Sequence, residues 1–209
     1  MANAFLERLA SGLLLADGAM GTELYADGIP FERNFDELNL THPTVVQAVH
    51  RRYIAAGAEL IETNTFGANP IRLAQAGLKA VRDINFRAVK LARDAREEMG
   101  EPTLIGAAIG PIGQELTPVG RITLDEARSA FSEQVLALLE AGPDVMILET
   151  FSDIRELREA ILAVKQACDL PIMAQMTFTA DGLTPSGDAP ADVARTLEAF
   201  GVDVLGINC

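Results

Sequence analysis

Three segments of this chain repeat one pattern. A helical stretch runs into glycine, then any residue, then an acid, then an apolar run: AAGAELIETNT from Ala55, EAGPDVMILET from Glu140 and AFGVDVLGINC from Ala199. Gly57, Gly142 and Gly201 suit the left-handed residue that ends a helix. Glu59, Asp144 and Asp203 come just before each apolar run and read as solvated strand starts. The runs are continuous rather than alternating, the mark of parallel strands buried on both faces.

The stretches before these runs are amphipathic at helical spacing: Val46, Val49, Tyr53 and Ala56; Ile154, Leu157, Ile161 and Val164; Val193, Leu197 and Phe200. Thr123 to Glu126 reads as a capping box. Thr41, Ser152 and Asp188 read as N-caps, with Pro43 and Pro190 in first turns. Strands are expected near 13–17, 59–64, 103–109, 145–149, 171–178 and 204–208. Strand then helix, repeated without a hairpin signal, is α/β. The two candidate architectures are a doubly wound sheet and a (β/α)8 TIM barrel. The first strand is not followed by a GxGxxG turn, which weakens the dinucleotide-binding version of the former. Six βα units in 209 residues is about 35 each, and eight would need ~250. The expectation is therefore one domain over 1–209 holding about the first six βα units of a barrel.

In a barrel, chemistry collects at the carboxyl ends of strands. Those positions hold Asp17 to Glu23, Thr63 to Gly67, Gly110 to Gly113, Glu149 to Asp153, Gln175, Thr177, Thr179, Asn208 and Cys209. Two acids, several hydroxyls and amides, exposed backbone and one thiol suit a small zwitterion. No Lys or Arg stands at a strand end, which argues against a phosphate substrate or a Schiff-base lysine. The net charge of −13 argues against a nucleic-acid or anionic-membrane partner. No apolar run approaches the ~18 residues of a membrane span, and the first residues lack a basic leader region. Two cysteines in a chain of this length fit a reducing, cytoplasmic setting. The bland readings are also open. Asp17 and Glu149 could each cap a helix, Cys209 could be a small core residue, and Cys168, His42 and His50 read as structural.

The ordered set LLLADGAMGTEL, FDELNLTHPTVVQAVHRRYIAAGAELIETNTFGANPIRL, IGPIG, ILETFSDI, AQMTF and GINC resembles the homocysteine S-methyltransferases over nearly the whole chain. The resemblance implies a (β/α)8 barrel that transfers a methyl group to the homocysteine thiol and forms methionine. It implies zinc held by three cysteines, the metal converting the thiol to a nucleophilic thiolate. Cys209 matches the first of these ligands. The two adjacent cysteines of the family pattern are absent from these residues, and they are expected in a longer protein. Glu149 matches the acid that holds the homocysteine amine. Asp17 matches a residue beside the amino-acid moiety, and the backbone from Ala19 to Thr22 matches the carboxylate cradle. Thr63 and Asn208 match polar positions near metal or substrate. Methylcobalamin and methyltetrahydrofolate are candidate donors, free or on a donor-carrying domain. A non-catalytic barrel module that binds an amino acid beside a partner domain is the second reading.

Overall fold

The computed structural model describes residues 3–209. The first half runs α1 (Ala4–Ala10), α2 (Met20–Ala26), α3 (Leu38–Thr41), α4 (Pro43–Ala55), β1 (Leu60–Glu62), α5 (Pro70–Gln75) and α6 (Val81–Met99). The second runs β2 (Leu104–Ile109), α7 (Leu124–Leu139), β3 (Val145–Phe151), α8 (Ile154–Ala167), β4 (Ile172–Met176), α9 (Pro190–Ala199) and β5 (Val204–Ile207).

All five strands are parallel, and they lie side by side in chain order. A doubly wound sheet reverses its order at a switch point. Unbroken order with helical crossovers is the arrangement of a barrel, here an arc of one. The expected first strand, 13–17, is a correction: it forms only a single bridge, Ala16 to Leu60. Backbone bonds still align it, since Glu59 N donates to Leu15 O at 2.8 Å and Asp17 N to Leu60 O at 2.9 Å. Among the described residues no strand lies on its outer side, and Leu13 is 97% exposed.

Alternation along the strands separates two cores. Ile61, Ile105, Ile109, Met146, Leu148 and Met176 face the helices and pack with Phe131, Val135, Leu157 and Ile161. Leu60, Leu104, Val145 and Ile147 face inward and meet Phe5, with Leu9 packed against them. The helix that brings Phe5 was not expected from the sequence. Asn3 caps it, its side chain accepting from Phe5 N at 2.9 Å, and it closes the amino-terminal end of the arc.

The acids of the repeat are at least partly solvated, as expected, and each is also a fastener. Glu59 accepts from Leu15 N at 3.2 Å, Asp144 from Ile105 N at 2.8 Å and Asp203 from Ile172 N at 2.9 Å. In every case the acid opening one strand bonds the backbone of the strand before it. Gly57, Gly142 and Gly201 take the positive φ expected of helix stops, 99°, 74° and 63°. The Thr123–Glu126 capping box is present. The other caps shift by one residue. Asp153, not Ser152, caps α8 by accepting from Arg155 N. His42 and Ala189 precede Pro43 and Pro190. Thr41 is engaged instead in closing α3, bonded to Glu37 O, and Asp188 in closing a loop with Thr184.

Candidate active site

A cavity of about 680 Å³ opens at the carboxyl ends of the strands. Asp17, Ala19, Thr63, Glu149, Asn208 and Cys209 line it together, though they come from four places in the chain. Thr22 does not line it; it sits in the first turn of α2, its Oγ1 3.4 Å from Ala19 O. The first-turn N–H groups of that helix, from Met20 to Thr22, have no intrahelical acceptor. Gly18 brings this turn close to α4, because a side chain there would meet Tyr53 Oη at 2.9 Å. Tyr53 Oη donates to Ala19 O at 3.0 Å and fixes the turn.

Three acids meet here. Asp17 Oδ2 accepts from Glu62 N at 2.9 Å. Burial outweighs that bond and, with Glu149 nearby, lifts its carboxyl to about 7. Burial also raises Glu149, whose Oε2 takes bonds from Asn208 Nδ2 at 3.2 Å and Thr150 Oγ1 at 3.3 Å. Glu62 is the acid that the sequence reading missed. It is the last residue of β1 and faces inward above Leu60. Burial first, then Glu149 and Asp17, hold it well above the usual carboxylate range. The signal was present in ETNT, but a strand placed as far as Asn64 hides an acid at its true end.

Backbone irregularity aims Glu149. The pairing of β3 with β4 slips between Leu148 and Phe151, and Thr150 takes φ 59°. A β-branched residue in that region is strained. Asn208 holds it there, its Oδ1 accepting from Thr150 N at 2.9 Å and its Nδ2 donating to Thr150 Oγ1 at 2.7 Å. Thr63 is buried between strands, its Oγ1 3.1 Å from Ala108 N and 2.6 Å from Thr65 Oγ1. The cavity also has cations that a survey of strand ends overlooks: Arg33 from the segment before α3 and Arg72 from α5, the latter 5.1 Å from the Phe66 ring centre.

Cys209 is exposed, with its Sγ 3.8 Å from Thr150 Oγ1. Among the described residues no group of three or more His, Cys, Asp or Glu is placed to hold a metal ion. Zinc takes four donors; this cavity supplies one thiol and by itself does not fit the metal. A second cavity of about 850 Å³ lies beside the loops after β2, β3 and β4. It is larger and takes Pro111, Gly113, Ser152 and Asp153 from the strand-end positions, with Pro185, Ser186 and Asp188, but none of the residues matched to the family's site.

Consecutive parallel strands with polar groups gathered at their carboxyl ends define a (β/α) barrel protein with its functional face at that end. The chain belongs to the homocysteine S-methyltransferase family, whose model matches residues 14–209. It is 32% identical over 219 aligned positions to methionine synthase of Mycobacterium leprae (strain TN), covering 98% of this chain. It is 31% identical to methionine synthase of Mycobacterium tuberculosis (strain ATCC 25618 / H37Rv). The chain spans 18% of the length of each of these relatives. The crystal structure of the homocysteine methyltransferase MmuM from Escherichia coli, in its metallated form, superimposes with a TM-score of 0.86 at 26% identity, covering 97% of this chain and 77% of that one.

Proposed function

We propose that residues 1–209 form the homocysteine-binding part of an enzyme that transfers a methyl group to the homocysteine thiol and yields methionine. One observation carries this reading. Asp17, Glu149 and the adjacent pair Asn208 and Cys209 arrive from three separate places at one cavity, with an acid pole beside a thiol. The acids suit the amino acid's ammonium, and the first-turn N–H groups from Met20 to Thr22 suit its carboxylate. Asn208 and Thr150 orient Glu149. Membership of the family and the names of its relatives point the same way.

Zinc belongs to this reading. Cys209 is then one thiolate donor, and the two further cysteines lie outside these 209 residues. The residues present contribute binding and orientation only. The candidate donors are methyltetrahydrofolate, methylcobalamin, S-methylmethionine and betaine, free or on a partner domain.

Calorimetric titration with homocysteine tests the reading. Wild-type protein binds, and Glu149→Gln weakens binding by roughly tenfold or more, the scale of a lost bond to a charged group, with little change in stability. Equal affinity in the two proteins refutes it. Elemental analysis under reducing conditions gives zinc per chain. The 209 residues alone hold no zinc if two ligands lie elsewhere; a stoichiometric zinc that Cys209→Ala leaves in place rejects the ligand assignment.

A further inference from the structure

Three acids face a substrate that brings one ammonium, and they do not share one role. Glu62 and Glu149 line the same cavity, their carboxyl groups within hydrogen-bonding reach of each other. Two carboxylates in hydrogen-bonding contact cannot both be ionised, so one holds a proton. Their surroundings identify which one. Glu149 accepts from Asn208 Nδ2 and Thr150 Oγ1, and donors of that kind favour the ionised form. Among the described residues no N–H or O–H group donates to the Glu62 side chain. Its neighbours are the acids Asp17 and Glu149, and the residue paired with it on β2 is Gly106, which has no side chain to offer. Arg33 and Arg72 line the same cavity, but neither forms an ion pair with Glu62.

We infer that Glu62 is a positioning residue for the reaction, a carboxylic acid that donates its proton to a hydrogen bond with Glu149 and so holds that carboxylate ionised and aimed at the substrate's ammonium. This rests on the homocysteine reading of the cavity. It adds a statement about selectivity: the pair recognises the α-ammonium of a thiol amino acid, and a thiol acid without that group gains nothing from Glu62. Asp17, held instead by the backbone N–H of Glu62, is not part of the pair.

The test compares wild type, Glu62→Gln and Glu62→Met by calorimetry with homocysteine and with 4-sulfanylbutanoate, which lacks the ammonium. The amide of Glu62→Gln keeps a donor toward Glu149, so both ligands bind within about threefold of wild type. Glu62→Met removes the donor, weakening homocysteine by roughly tenfold or more and leaving 4-sulfanylbutanoate unchanged. Glu62→Gln as weak as Glu62→Met would mean that Glu62 acts by its charge, and overturns the inference. So does Glu62→Met weakening both ligands alike, the mark of a merely structural role. Infrared spectra of the ligand-free proteins at neutral pH read the proton: the wild type minus Glu62→Gln difference carries a protonated-carboxyl C=O band beyond those of Asp17 and Glu156, which both proteins share. A missing band overturns the inference. If wild type fails to discriminate homocysteine from 4-sulfanylbutanoate, the homocysteine reading falls, and the infrared result still judges the proton.

Discussion

At the scale of single residues, the interior holds several ionisable groups against their preference, and this makes stability depend on pH. Asp17 and Glu156 are lifted by burial to about 7, and Asp36 to about 6. Their unfolded carboxyls titrate near ~4, so over that interval the folded protein binds more protons than the unfolded one. Stability from this source falls as pH rises from about 4 to about 7. An ammonium held beside Asp17 reverses the effect there. The rise in melting temperature caused by homocysteine is therefore greater at pH 8 than at pH 6, which thermal scans at the two pH values check. His50 acts in the opposite sense. Fully buried, with neither ring nitrogen bonded, its imidazole is pushed down to about 4. Stability from this source is complete above the unfolded value near ~6.5 and is lost as pH falls toward 4, by roughly 3 kcal/mol. His50→Leu removes that acid limb and raises stability at neutral pH by about 1–3 kcal/mol, measured by urea unfolding at pH 5 and pH 7. The sequence showed His50 on a helix face; it did not show which face, because α4 packs against both α2 and α6.

At the scale of elements, the repeat was legible in the sequence and its meaning was not. Glycine stops and apolar runs follow from local rules, so β2 to β5 fall where periodicity puts them. The acid between them looked idle because its partner is a backbone N–H some 30 to 45 residues away, and spacing in one chain does not reveal such pairs. Asp144→Ala leaves Ile105 N without its side-chain acceptor, costing about 1–3 kcal/mol, whereas Asp94→Ala on α6 costs under ~0.5 kcal/mol. Equal unfolding midpoints for the two variants would reject the fastener. The site followed the same division. Strand-end logic pointed to Asp17, Glu149, Asn208 and Cys209, which share one cavity, yet Glu62 was lost to a strand end misplaced by two residues, and Arg33 and Arg72 lie off the strands altogether. Gly110 adds a packing constraint: a Cβ there would stand 2.3 Å from the Phe66 ring. Gly110→Ala displaces that ring, with a loss of roughly 1–3 kcal/mol in chemical denaturation.

At the scale of the whole molecule, the arc has two edges. Leu13 and Leu15 are 97% and 57% exposed at one, Leu205 and Ile207 44% and 69% at the other. Leu205 and Ile207 pair with Ala174 and Met176 of the helix-facing core but have no cover of their own. Open strands with apolar side chains invite pairing with another chain, against which the net charge of −13 works by repulsion. The 209-residue chain therefore self-associates more at high salt than at low salt, and Leu205→Lys with Ile207→Lys lowers its weight-average mass in sedimentation equilibrium. The acid fasteners give this architecture a direction. Each of these three acids grips a segment made before it, the 13–17 segment, β2 or β4, so on a ribosome these joints would lock like a zip, every new tooth closing on the one already through the slider.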